Sequence, residues 1–302
     1  HILSDDTFTP ERKQLFEDLC SRYGQELKVH SLEEIPEEIY RNIPENFGKG
    51  SLFRLFIPDL IEEDLVLYLD CDIICQIDVQ TIFDIDIGDA CLGGILDSAV
   101  EDVDLCYGYI DKLGIDPTHY INSGVLLMNN AELRRSYPDL REIVLLMIRQ
   151  VKTRFPDQDA LNFLFPLRTG DPPAPRIEPG KKRIKDSRPD GDKSYPREAE
   201  AVRGRNGKVH LLPGHFNYPT WPMERGYYPL THYRGKLIHY TCKKPWTTLY
   251  PASLLYWKYY CRLFSVADAF ERIEELELNR FTPLFHLLLQ DDKSRRWFGR
   301  MY

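Results

Sequence analysis

Residues 65–72, Leu-Val-Leu-Tyr-Leu-Asp-Cys-Asp, constrain the fold more than any other stretch of the chain. Five consecutive large apolar residues mark a strand buried on both faces. Such strands belong to sheets covered by helices, and this one stops abruptly at two carboxylates. Side chains alternate along a strand, so Asp70 and Asp72 point to one side if the extension persists through Asp72. Open α/β sheets bind ligands beyond the carboxyl ends of their strands. Two acids held together repel, and a hard divalent cation, Mn²⁺ or Mg²⁺, relieves that repulsion while also binding a diphosphate. By spacing alone, Asp70 and Asp72 fit a turn or two solvated acids equally well.

Further runs of this kind fall at 91–96 and 120–128, and strand patterns at 26–32, 209–212 and 236–240. Between them, 51–60, 139–152 and 159–165 carry helical spacing, and Thr9 before Pro10 reads as a helix N-cap. Strands alternating with helices predict an α/β fold: a mixed, mostly parallel sheet with helices on both faces. The segment 168–208 holds six prolines, five glycines and twelve Lys or Arg. It has too little apolar surface to offset its ordering entropy and reads as a mobile insertion. The expected organisation is one catalytic domain over 1–250 and an aromatic-rich helical extension over 251–302.

A net charge of −8 argues against nucleic-acid binding, which needs a cationic footprint. Seven cysteines, an odd number with no CxxC, suit a reducing, cytoplasmic setting. No run of 18 apolar residues occurs, so a membrane span is not expected.

Other polar groups interrupt or end apolar elements. His239 follows Leu237-Ile238; its imidazole suits a metal shell, and Lys244 nearby suits phosphate oxygens. Asp157, Gln158 and Asp159 open a helix, where acids favour the macrodipole whether or not they bind anything. Asn122, Ser123 and Gly124 break the start of a buried run, and Asp97 ends Gly93-Gly94-Ile95-Leu96.

Taken together, these blocks resemble glycosyltransferase family 8, the family of glycogenin and of bacterial lipopolysaccharide and lipooligosaccharide α-galactosyl- and α-glucosyltransferases. The matching order is Phe53-Arg54-Leu55, Leu69-Asp70-Cys71-Asp72, Gly94-Ile95-Leu96-Asp97, Asn122-Ser123-Gly124-Val125, Asp157-Gln158-Asp159, and His239 to Lys244-Pro245-Trp246. The resemblance implies a Rossmann-like GT-A fold, with an opening nucleotide-binding strand and helix expected ahead of His1. It implies a UDP-sugar donor, UDP-glucose or UDP-galactose, and a retaining hexosyl transfer to a saccharide or lipid-linked acceptor. Asp70, Asp72 and His239 are the implied metal ligands. Arg54, Asp70, Asn122, Asp159 and Lys244 are implied donor-binding residues, and Asp97, Asp157 and Gln158 are implied around the reacting sugar. The basic, aromatic end of the chain (Arg295, Arg296, Trp297, Arg300) suits peripheral contact with the inner face of a membrane. Two alternatives stay open at this point: a catalytically inactive sugar-nucleotide-binding paralogue, and a haloacid-dehalogenase-type phosphatase.

Overall fold

The computed structural model describes residues 1–5, 7–32, 41, 43, 48–98, 110, 113–166, 195–204, 208–220, 230–241 and 243–276. In chain order the elements are β1 (Ile2–Ser4), α1 (Pro10–Arg22), β2 (Val29–Ser31), α2 (Ile57–Leu60), β3 (Leu65–Leu69), β4 (Ile73–Cys75), α3 (Gln80–Phe83), β5 (Leu92–Leu96), β6 (Ile121–Asn129), α4 (Asn130–Ser136), α5 (Leu140–Gln150), α6 (Pro156–Leu164), α7 (Arg197–Val202), β7 (Val209–Leu211), β8 (Tyr218–Pro219), β9 (Leu237–His239), α8 (Ser253–Leu263) and α9 (Val266–Glu275). Two compact units result, His1–Asp70 with Val79–Gly214, and Cys71–Asp78 with His215–Tyr302.

In the first unit the sheet order is β3-β6-β5-β7, and β1 pairs with β2 in a separate ribbon. The sheet is mixed, as expected. Parallel pairing is a smaller share than the alternating pattern suggests, because β6 runs antiparallel to both β3 and β5. Parallel pairs join β1 to β2 and β5 to β7. A continuous apolar run carries no information about strand direction, and β3, expected to be buried on both faces, stands at the end of the described sheet and is only half-buried. Leu126 and Met128 of β6 share a core with Val144 and Met147 of α5 and with Leu161 and Phe163 of α6. That packing is what fixes the start of α6 against the strand.

The pairing of β5 with β6 slips between Gly94 and Ile95, a β-bulge beside Asn122. Gly94 is required there. A Cβ on it would lie 2.6 Å from Ile121 Cδ1 and 3.3 Å from Ile121 Cβ.

Three sequence expectations shift in this unit. The helix expected over 51–60 is a 3₁₀ segment, Lys49–Phe56, running into α2. Pro58 lacks an N–H and is tolerated only in the first turn, so the α-helix starts just before it. The helix expected from 159 begins at Pro156 for the same reason, which places Asp157, Gln158 and Asp159 in its first turn. The mobile insertion expected over 168–208 is corrected at its C-terminal end. Tyr195, Ala199 and Val202 are buried in the core, two of them one helical turn apart on α7. Residues 167–194 lie outside those described.

In the second unit the order is β4-β9-β8, antiparallel then parallel, with β9 wholly buried. The C-terminal helices share this unit with the short sheet, in place of a break at residue 250. Tyr240, Tyr250 and Leu255 join Ile238 in one cluster, and Trp257 packs with Ala269 and Ile273 of α9 in another. A capping box starts α9: Ser265 Oγ accepts from Asp268 N, and the Asp268 carboxylate accepts from Ser265 N at 3.0 Å. Ser265→Ala is expected to cost about 1 kcal/mol, read as a lowered denaturant midpoint at unchanged slope. Among the described residues no helix is long and apolar enough to cross a membrane. The basic aromatic terminus expected to touch a membrane lies outside the described residues.

Candidate functional site

The strand extension assumed for Asp70 and Asp72 does not persist: β3 ends at Leu69, and Cys71 and Asp72 form a turn before β4. The two acids therefore take different partners.

Asp70, which ends the first segment of the first unit, is held by Arg54. Arg54 is delivered from the 3₁₀ segment into the core, only 4% exposed. Its Nη2 donates to Asp70 Oδ1 at 3.0 Å and its Nε to Ser51 O at 3.0 Å, while Nε lies 3.3 Å from Asp157 Oδ2. Its Nη1 donates to Ser123 O, and the guanidinium lies 4.5 Å from the centroid of the Tyr68 ring. One planar cation thus serves two acids and two carbonyls, the geometry for which arginine is suited and lysine is not. Burial pushes the Tyr68 phenol well above its ordinary range, so it stays protonated and donates to Asp70 Oδ1 at 2.6 Å. Burial likewise raises the Asp157 carboxyl, and the Arg54 charge opposes that rise.

Around this clasp lies a chain of amide and carboxylate groups. Gln158 Nε2 donates to Asp97 Oδ2 at 2.8 Å, and Asn122 Nδ2 donates to the same oxygen at 3.1 Å. Gln158 Oε1 accepts from Ser123 N at 2.9 Å and from Ser123 Oγ at 3.3 Å. Both ends of the Gln158 amide are therefore held, which fixes its orientation. Ser123 Oγ also lies 3.1 Å from Asp157 Oδ2.

Asp159 is fully buried and accepts from Tyr120 Oη at 2.5 Å and from Phe155 N at 3.2 Å. These bonds tie the start of α6 to the strand. An acid in the first turn of a helix looks the same in sequence whether it faces solvent or a buried hydroxyl.

Asp72 belongs to the second unit, as do His239 and Lys244. The Asp72 backbone carbonyl accepts from Tyr240 N at 3.0 Å, which anchors the turn to the strand carrying His239. Lys244 Nζ donates to Asp72 Oδ2 and, at 2.7 Å, to Tyr240 O. Burial would raise the Asp72 carboxyl, but the His239 imidazole and the Lys244 ammonium outweigh it and hold it at about 2. His239 Nδ1 pairs with Asn217 Oδ1 at 2.8 Å, which directs Nε2 toward Asp72 Oδ1 at 3.1 Å. That carboxylate oxygen is buried and has no hydrogen-bond partner. Nε2 and Oδ1 converge on one point, where a divalent ion could be held by both. The orphaned Asp72 oxygen and the His239 nitrogen, an oxygen–nitrogen pair within one unit, fit a divalent ion of intermediate hardness.

Nine of the ten site residues expected from sequence and resemblance thus fall into two bonded groups: Arg54, Asp70, Asp97, Asn122, Asp157 and Gln158 in the first unit, and Asp72, His239 and Lys244 in the second, with Asp159 set apart. Sequence reasoning passed over Asn217, whose partner is 22 residues away and leaves no local signal. It also passed over Asn162, although four residues after Gln158 is one helical turn and the same face.

The family model described as "Glycosyl transferase family 8" matches residues 1–249. Glycosyltransferase GlyB of Streptococcus pneumoniae serotype 4 is 28% identical over 201 residues, 67% of this chain and 39% of that protein. Lipopolysaccharide glucosyltransferase WaaO of Escherichia coli K12 is 28% identical over 172 residues, 54% of this chain and 49% of that protein. The chain spans about half the length of these curated relatives, or less. The solved structure of galactosyltransferase LgtC in complex with donor and acceptor sugar analogues superposes with a TM-score of 0.51 at 19% identity, covering 91% of this chain and 95% of that one. At that identity the likeness concerns the fold.

Proposed function

Because this chain belongs to glycosyltransferase family 8, we propose that it is a metal-dependent, retaining hexosyltransferase. It moves glucose or galactose from a UDP-sugar to a saccharide or lipid-linked acceptor, at the cytoplasmic side of a membrane, in the assembly of a bacterial surface glycan. The observation that carries the reading is the buried, unpartnered Asp72 Oδ1 facing His239 Nε2. A phosphatase of the haloacid-dehalogenase type is set aside by the family assignment.

In this reading Asp70, Asp72 and His239 hold Mn²⁺ or Mg²⁺, with Asn217 orienting the imidazole from behind. The ion supplies Lewis-acid stabilisation of the departing diphosphate. Lys244, about one-third exposed, turns from Asp72 to the phosphate oxygens when the carboxylate is engaged elsewhere. Arg54 positions Asp70 through their direct bond, while Asp97 and Asn122 offer hydrogen bonds to sugar hydroxyls. Gln158 lies beside the reacting carbon. Its oxygen is committed to Ser123, so it stabilises and orients, and formation of a covalent bond to it is not part of the reading. The acceptor's proton passes to an oxygen of the departing UDP.

The test is direct. UDP-glucose or UDP-galactose should be slowly hydrolysed in the presence of Mn²⁺, and a chelator should stop the reaction. UDP with Mn²⁺ at about 100 times its dissociation constant should stabilise the chain by about 2.7 kcal/mol in a thermal melt. Turnover that persists in excess chelator would remove the metal from the proposal.

A further inference from the structure

Beyond Val125, where β3 has run out, the backbone of β6 continues for four more residues toward Ile121. Gly124 O still accepts from Asp70 N at 2.8 Å and β5 pairs at Asn122 and Ile121, while the outward groups of Ile121 and Ser123 are taken by side chains. Ser123 N donates to Gln158 Oε1 at 2.9 Å, and Ser123 O accepts from Arg54. Ile121 N donates to Asn162 Oδ1 at 2.7 Å, and Ile121 O accepts from Asn162 Nδ2 at 2.8 Å. Asn162 Nδ2 also donates to Gln158 O at 2.9 Å. Asn162 is 7% exposed.

Asn162 therefore does what a neighbouring strand would do, offering one acceptor and one donor to a single residue of β6. Its third bond reaches the backbone of the residue whose side chain carries the next bond along the strand. From this geometry we infer that Asn162 is a positioning residue. It sets the register of α6 against β6, and so the placement of the Gln158 amide, Asn122 and Asp97. The inference rests on the transferase reading for its catalytic consequence, and on the hydrogen bonds alone for its structural half.

A substitution at Asn162 also orphans two backbone groups and lowers stability, so loss of activity by itself proves little. The comparison is therefore between Asn162→Ala and Met147→Ala, a cavity variant of similar stability loss in α5, where Met147 is fully buried. Each is assayed well below its melting temperature for Mn²⁺-dependent UDP-hexose hydrolysis and for the thermal shift given by UDP with Mn²⁺.

Asn162→Ala is expected to lower kcat about ten- to a hundredfold, with KM and the UDP shift little changed. Met147→Ala is expected to keep kcat. Hydrogen exchange in the peptide containing Ile121 and Ser123 should accelerate in Asn162→Ala and stay as in the wild type in Met147→Ala. Unchanged exchange in Asn162→Ala overturns the positioning role, as does a kcat within twofold of the parent or an equal loss in the cavity variant. A parent chain that turns over no UDP-hexose counts against the transferase reading instead, and the exchange result then decides the clamp by itself.

Discussion

Asp72→Ala is expected to abolish Mn²⁺-dependent hydrolysis of UDP-glucose and UDP-galactose while leaving the chain folded. Asp72 is the acid that faces both the imidazole and the ammonium of its unit, and its carboxyl is held at about 2, so it is an anion at every working pH. Without it a divalent ion keeps at most one acid and one imidazole. Stabilisation of a leaving diphosphate by a metal is worth several kcal/mol, so the loss should be on the order of a thousandfold or more. The fold should survive, at a cost of about 2 kcal/mol for the lost carboxylate. Lys244 is about one-third exposed and retains its bond to Tyr240 O, and His239 retains Asn217. Circular dichroism should report an unchanged spectrum and a melting point within a few degrees. A variant with activity comparable to the parent would take Asp72 out of the metal shell.

Arg54→Met should act in the opposite way, on stability first. The guanidinium is buried between Asp70 and Asp157 and also serves the carbonyls of Ser51 and Ser123. Removing one partner from a buried ionic group costs about 3–5 kcal/mol, because Asp157 and the Ser123 carbonyl are left behind in a buried place. Denaturant unfolding should show that loss. The size of the effect is attributable to stranded charge if adding Asp157→Asn recovers about 1 kcal/mol or more of it, since a neutral amide needs no counter-ion. A double variant no more stable than the single one would mean that lost packing on the Tyr68 ring is the cause.

Much of this arrangement is legible in the sequence because it sits where apolar periodicity stops. Residues 65–69 and 121–128 announce strands, and the polar residues that end or interrupt them are linked: Asn122 bonds Asp97, Gln158 joins Asp97 to Ser123, and Arg54 joins Ser123 to Asp70. The direction of β6 is not legible, because burial on both faces looks the same in parallel and antiparallel strands. The turn at Cys71–Asp72 is not legible either, since an Asp-x-Asp spacing fits an extended strand and a tight connection alike. Asp159 and Asp157 are two residues apart in one helical turn, and only the Tyr120 hydroxyl decides that the former is an internal tie. The second partner of His239 depends on a contact across 22 residues, beyond any local pattern.

Carboxamides closing the open side of β6 have a consequence for anyone re-engineering this scaffold. An uncovered ladder is a template for stray extended peptides, and here it is sealed without lengthening the sheet. The seal is made by Gln158 and Asn162, one turn apart on α6. A helix grafted in place of α6 would need the same two amides at that interval, whatever its apolar face, or the graft would leave an adhesive rim.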